Sequence, residues 1–279
     1  MRQEVFTLPS GAKIELRQIR LVEENVLASN LNKGQGDQQL NKALDSVLNA
    51  CTVGIADVGP YTFLEPGGSP DWRKMLSGDR LATMVFLRIL SYRERENYPL
   101  LNVQCPMCGK RTDYDVDLYK DLIWRNLSEE GTDKIRNGQP FEIKVAGARV
   151  EFTLTTGQSS DMAIKLADQY PKRSISAALR SKILDVYLDD GTEAMPRVRI
   201  MDWLDGEDGH YPGLMSEDSE DIRDAFDEKE AGIDTDVELN CPSVSCGHDF
   251  VVNLPFDGML MPSKGIRKRR QERRRGKVS

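Results

Sequence analysis

"CPMCGK", residues 105–110, and "CPSVSCGH", residues 241–248, decide how this chain of 279 residues is read. Each stretch carries a cysteine followed by proline, then a second cysteine followed by glycine. Two thiolates can reach one ion from a single turn when about two to four residues separate them. Cys105 and Cys108 have two residues between them, and Cys241 and Cys246 have four. Gly109 and Gly247 let the backbone bend around the sulfurs, while Pro106 and Pro242 restrict the turn.

Working outward, both stretches have the same flanks. "YPLLNVQ" and "RTDYDVDL" surround the first, "DTDVELN" and "DFVVNLPF" the second, and all four alternate as strands do. Two β-hairpins with cysteines in their turns are the plan of a zinc ribbon. The pattern points to a structural Zn2+ ion held by Cys105, Cys108, Cys241 and Cys246. Other readings stand beside it. The four can be unconnected thiols in turns. Cys105 and Cys108 can be a redox pair, which wants a helix N-terminus after a strand, whereas a strand follows here. His248 can replace Cys246 or donate to a sulfur. Four thiolates complete a tetrahedron and leave no position for a reacting water, which favours a clamp over a catalytic centre.

The remaining chain reads as α+β. "EVFTL" and "KIELRQI" form a hairpin across Pro9-Ser10-Gly11. Helices follow near 22–31 and over "LNKALDSVLNACTV", with Leu40, Ala43, Leu44, Val47 and Leu48 on one side and Cys51 as a small buried side chain. "PYTFLEPGGSPDWRKM" is loop. "SGDRLATMVFLRILSYRE" is apolar on most faces, hence a central helix, with Asp79 placed to cap its start. Between the hairpins lies a long α/β insertion. In it "LYKDLIWRNL" is expected as helix and "PFEIKVAGARVEFTL" as a hairpin turning at Ala146-Gly147. "SSDMAIKLADQY" is expected as a helix capped near Ser160 or Asp161, and "SISAALRSKILDVYL" as strand or helix. "SEDSEDIRDAFDEKEAG" is a helix with acids in its first turn, Ile222, Ala225 and Phe226 inward, and Gly232 as C-cap. The expected division is 1–97, an N-terminal hairpin and helical region; 98–118 with 235–257, the zinc-ribbon module; 119–234, the insertion; and 258–279, a basic tail.

The net charge of −7 hides an asymmetry. Residues 264–279 hold nine Lys or Arg and one Glu, leaving 29 basic and 44 acidic residues in the body. A tail with so little to bury is expected to be flexible in isolation. It suits phosphates or an acidic protein surface, including another copy of this chain, but it has no aromatic residue to stack on bases. A nucleic-acid-binding ribbon is the alternative function. No apolar run is long enough for a membrane span or a signal peptide, so cytoplasm is the expected compartment. His210, in "LDGEDGHYPG", sits in an acidic loop without EF-hand spacing, and Asp189-Asp190 and Glu217-Asp218 read as surface acids. No phosphate loop, nucleophile elbow or dinucleotide fingerprint is present, and the chain is read as a non-enzyme.

Several stretches occur together in one order: "FTLPSGAKIELRQI", "SGDRLATMVFLRILSY", "CPMCG", "VRIMDWLDG", "EAGIDTDVELNC" and "FVVNLPF". On these the chain resembles the baseplate hub and tail-assembly proteins of contractile-tailed bacteriophages, the T-even-like baseplate protein family. The most specific parts are the "GDR…R…SY" helix and the "GID…V…C" lead into the second hairpin. The resemblance implies a protein of the tail baseplate that binds other tail proteins, present in host cytoplasm during assembly and in the virion tail if it stays. It implies no enzymatic activity and does not explain the basic tail.

Overall fold

The computed structural model describes residues 2–31, 37–92, 96–188 and 191–254. Leu40's side chain, Asp189-Asp190 and the basic tail lie outside these residues. The fold is α+β, as the alternating and helical patterns implied. Among the described residues, no helix is long and apolar enough to cross a membrane.

The chain opens with the expected hairpin, β1 (Gln3–Thr7) against β2 (Lys13–Arg17), with Phe6 opposite Ile14. After helices α1 (Leu21–Leu31) and α2 (Asp37–Cys51), β3 (Thr52–Asp57) pairs with the free side of β2. Ala43, Leu44, Val47 and Leu48 of α2 are buried. Cys51 is buried too, and that burial pushes its thiol up to about 11, so it packs as a small apolar group.

The next helix, α3 (Ser77–Ser91), is the axis of the molecule. Its buried residues run from Asp79 and Arg80 through Ala82–Leu90 almost without interruption. Phe86 stacks on Phe6 of the N-terminal sheet at 4.5 Å between ring centroids and on Trp124 of the insertion at 5.2 Å. Asp79 is not the cap. Leu76 occupies that position without a side-chain bond, and Asp79 turns into the core. Its carboxylate accepts from the Ser10 N–H at 3.0 Å, the Ser10 hydroxyl at 2.5 Å and the Tyr61 hydroxyl at 2.6 Å. Burial raises its pKa, and these donors pull the other way.

The other residues of the "GDR…R…SY" pattern are junctions as well. A Cβ on Gly78 would stand 1.8 Å from the Ala231 carbonyl oxygen and 2.6 Å from the Gly232 Cα. Arg80 pairs with Asp45 of α2 at 2.5 Å. The Arg88 guanidinium lies over the rings of Tyr92 and Tyr98, at 4.7 and 4.8 Å. Ser91 accepts from the Ile19 N–H, and Tyr92 donates to Glu24.

Beyond α3 come β4 (Asn97–Gln104) and β5 (Arg111–Asp117), the first cysteine hairpin. The helix expected over "LYKDLIWRNL" does not form. The Tyr119 and Lys120 N–H groups donate to the Asp117 side chain, and the Asp117 N–H donates to Asp121. Such local side-chain bonds compete with helical ones and build a turn. The chain leaves it as β6 (Ile123–Arg125), which carries Trp124 onto Phe86. Then come α4 (Glu129–Asn137) and the hairpin of β7 (Phe141–Val145) and β8 (Ala148–Phe152), turning at Ala146-Gly147 with φ of +48° and +73°.

Helix α5 (Gly157–Gln169) starts earlier than expected, because Thr156 and Ser159 form a capping box. The undecided stretch is both things in turn: α6 (Ser174–Lys182), then β9 (Ile183–Leu188) alongside β8. After α7 (Ile200–Asp205), α8 (Ser216–Lys229) buries Ile222 and Phe226, with Ala225 half-buried. Its C-cap is Glu230, not Gly232. Gly232 instead opens β10 (Gly232–Asp234), which pairs with β6 and abuts Gly78. The second cysteine hairpin, β11 (Asp236–Asn240) and β12 (Asp249–Asn253), ends the described chain. One buried apolar cluster runs from Phe6 and Leu16 through α3 to Val150, Phe226 and Leu239.

Candidate metal centre

The two knuckles close in the same manner. The Cys105 N–H donates to the Lys110 carbonyl at 2.9 Å, and the Cys241 N–H to the His248 carbonyl at 2.9 Å. Inside the first, the Gly109 N–H returns to the Cys105 carbonyl. Inside the second, the Cys246 and Gly247 N–H groups both return to the Ser243 carbonyl, a small turn that takes up the two extra residues. Gly109 and Gly247 have φ of +71° and +56°, a left-handed region that glycine enters without a steric penalty.

The knuckles face each other and bring the four sulfurs within 4.8 Å of one another. Cys105 Sγ lies 3.9 Å from Cys246 Sγ, and Cys108 Sγ lies 3.6 Å from Cys241 Sγ. A tetrahedron of sulfurs with bonds of about 2.3 Å to a central ion has edges of about 3.8 Å. A disulfide needs about 2.05 Å, so these are thiols arranged around a point. Cys105 and Cys241 are buried, Cys246 is half-buried and Cys108 is exposed.

His248 is not in the cluster. Its carbonyl closes the knuckle, and its ring stacks with Phe250 at 6.4 Å. Two residues not singled out in the sequence hold the hairpins together: Tyr114 meets Phe250 edge-on at 6.3 Å and donates its hydroxyl to the Asn240 carbonyl. Their aromatic character within alternating strands was the available signal.

Electrostatically the thiols are unequal. The Cys108 N–H, aimed at the Cys105 sulfur, leads the effects that hold that thiol down at about 7. For Cys246 the His248 N–H also favours the thiolate, but burial and the surrounding sulfurs outweigh it and push the thiol up to about 12. Cys241 is raised as well, by burial and the Cys108 and Cys105 thiols against the Ser243 N–H. The Cys105 proton therefore leaves readily while those of Cys241 and Cys246 are held back, since packed thiolates repel. A dication at the centre relieves that repulsion, so the donor set fits a thiophilic divalent ion.

The acidic loop around His210 has another organisation. Asp202, fully buried, accepts from the Asp208 and His210 N–H groups, while Arg173 pairs with Asp205 at 2.7 Å and Asp208 at 3.5 Å. Asp202, Asp205 and Asp208 are spent on backbone and arginine rather than gathered around a point.

Comparison with curated proteins and with solved structures yields no match. A family model does match: the T4 bacteriophage base plate protein, over residues 1–257, a span that includes both cysteine knuckles and the Gly78–Gly232 junction. A match over that much of the chain establishes kinship, and the protein belongs to the T4 bacteriophage base plate protein family.

Proposed function

We propose that this baseplate protein is a structural or assembly component of the hub region of a phage tail, working by protein–protein binding and stapled internally by a structural zinc. Cys105, Cys108, Cys241 and Cys246 are its ligands in this reading, in a ribbon-like module of residues 98–118 and 235–257. The observation that carries it is the convergence of four sulfurs within 4.8 Å from positions up to 141 residues apart. A set of four thiolates saturates the ion and supplies no reacting water, so its work is mechanical. It fixes both ends of the insertion and presents that region to neighbouring tail proteins.

The knuckle tips support a role in binding. Met107 and Val244, at the apex of each turn, are both strongly exposed apolar side chains. Apolar groups held in water by a rigid turn are suited to burial against a partner.

The test has two parts. Purified protein is expected to contain one zinc per chain, lost when any of the four cysteines is replaced. Phage lacking the protein are expected to make no normal tails; normal tails from such a phage overturn the proposal. Finding the chain in purified tails makes it a permanent component, and finding it only in intermediates makes it an assembly factor. The nucleic-acid alternative demands tight binding to DNA or RNA that weakens steeply as salt rises.

A further inference from the structure

The acidic body concentrates exposed carboxylates on one helix. Helix α8 buries only Ile222 and Phe226 and turns its other face to water. On that face Glu217, Glu220, Asp221, Asp224 and Asp227 are all exposed, and none forms an ion pair among the described residues. They lie three and four residues apart, so each repels its neighbours along the helix. Elsewhere several carboxylates have found cations, as Asp45 has Arg80, Asp205 has Arg173 and Asp234 has Arg125, and no other helix among the described residues gathers so many that have not. Helix α8 carries seven carboxylates against only Arg223 and Lys229, an excess of acidic charge left unpaired in the described fold.

The counterpart is within reach. The described chain ends at Leu254, whose N–H donates to the Thr235 carbonyl. Thr235 lines the same surface cavity as Asp227 and Glu230, at the C-terminal end of α8. Nine residues separate Leu254 from Lys264, a reach of about 30 Å when extended. Helix α8, with 14 residues, is about 21 Å long. Residues 264–279 carry nine Lys or Arg against one Glu.

We propose that residues 264–279 dock along the outward face of α8 of the same chain. Tethering makes the contact intramolecular, so charge pairs that are individually weak act together. The docked tail screens the repulsion along α8, and its cations are occupied until a denser polyanion competes for them. The proposal is independent of the metal.

The full-length protein tests it. A water-soluble carbodiimide joins a carboxylate to a lysine amine only where the two touch, and peptide mapping locates the links. At low salt, links from Lys264, Lys268 and Lys277 are expected to concentrate on the α8 carboxylates within monomers. They are expected to disappear at about 1 M salt, where the screening length falls to about 3 Å. The double variant Glu220→Lys, Asp224→Lys, on exposed positions and checked for an unchanged circular dichroism spectrum, is expected to lose them. Links spread evenly over the body, found only in cross-linked dimers, or undiminished in the double variant overturn the proposal.

Discussion

Chelation is the most informative perturbation of the proposed zinc clamp. Cys108 and Cys241 stand 133 positions apart, and an ion held by both hairpins closes that whole stretch into a loop. The loop-closure entropy removed from the unfolded chain by a cross-link over about 130 residues is equivalent to about 5 kcal/mol. For a chain of this size, 1 kcal/mol moves the thermal midpoint by about 2–4 °C, so chelation is expected to lower it by about 10–20 °C. The apolar cluster running from Phe6 to Leu239 contains none of the four knuckle cysteines, so helical content at room temperature is expected to persist. The assay is a circular dichroism melt with and without a strong chelator. Cys51→Ser, remote from the cluster, serves as the control that must leave the metal effect intact. A midpoint unmoved by a chelator that has demonstrably removed the zinc refutes the clamp.

Other expectations follow from single contacts. Gly78→Ala forces a methyl into the Ala231 carbonyl and is expected to cost about 3 kcal/mol in a denaturant titration, whereas Gly11→Ala, with open space around it, is expected to cost about 1 kcal/mol, from its positive φ alone. Asp79→Ala leaves the Ser10 N–H and the Tyr61 hydroxyl without their acceptor in the core, an expected loss of about 3 kcal/mol by the same measurement. Ala146→Gly relieves a left-handed alanine and is expected to stabilise the β7–β8 hairpin by about 1 kcal/mol. The depressed thiol of Cys105 has a signature in acid. Its thiolate is present in the metal-free chain above about pH 7 and lost below, so calorimetric zinc binding is expected to release one proton fewer at pH 8 than at pH 6. Equal release at both pH values would falsify that assignment.

The candidate metal centre was legible because metal ligation imposes a local rule. Cysteines at short spacing, with proline and glycine at matching places, announce a knuckle wherever they fall. Pairing the knuckles relied on their similar flanks, and the wide Cys241–Cys246 turn proved as closed as the narrow one. What was misread depended on distant partners. Asp79 has the residue type and place of a cap, yet its partners Ser10 and Tyr61 come from other parts of the chain. Gly232 has the look of a helix stop, yet it is shaped by Gly78, which no window around it contains. "LYKDLIWRNL" failed for a different reason: Asp117 and Asp121 bond the backbone locally and pre-empt the helix. The "GDR…R…SY" pattern could be recognised as a signature, but its meaning, a set of joints between α3 and four other elements, needed the fold.

The wide separation of the two knuckles also governs timing. At about 5–20 residues per second, Cys105 and Cys108 are synthesised roughly 7–27 s before their partners. During that interval the first hairpin has only half of the four-sulfur cluster. On the proposed clamp, a chain broken off anywhere before Cys246 never completes the site, so closure doubles as a check that everything between the knuckles has been made. Such a check would keep an incomplete subunit from presenting the finished insertion to a partner.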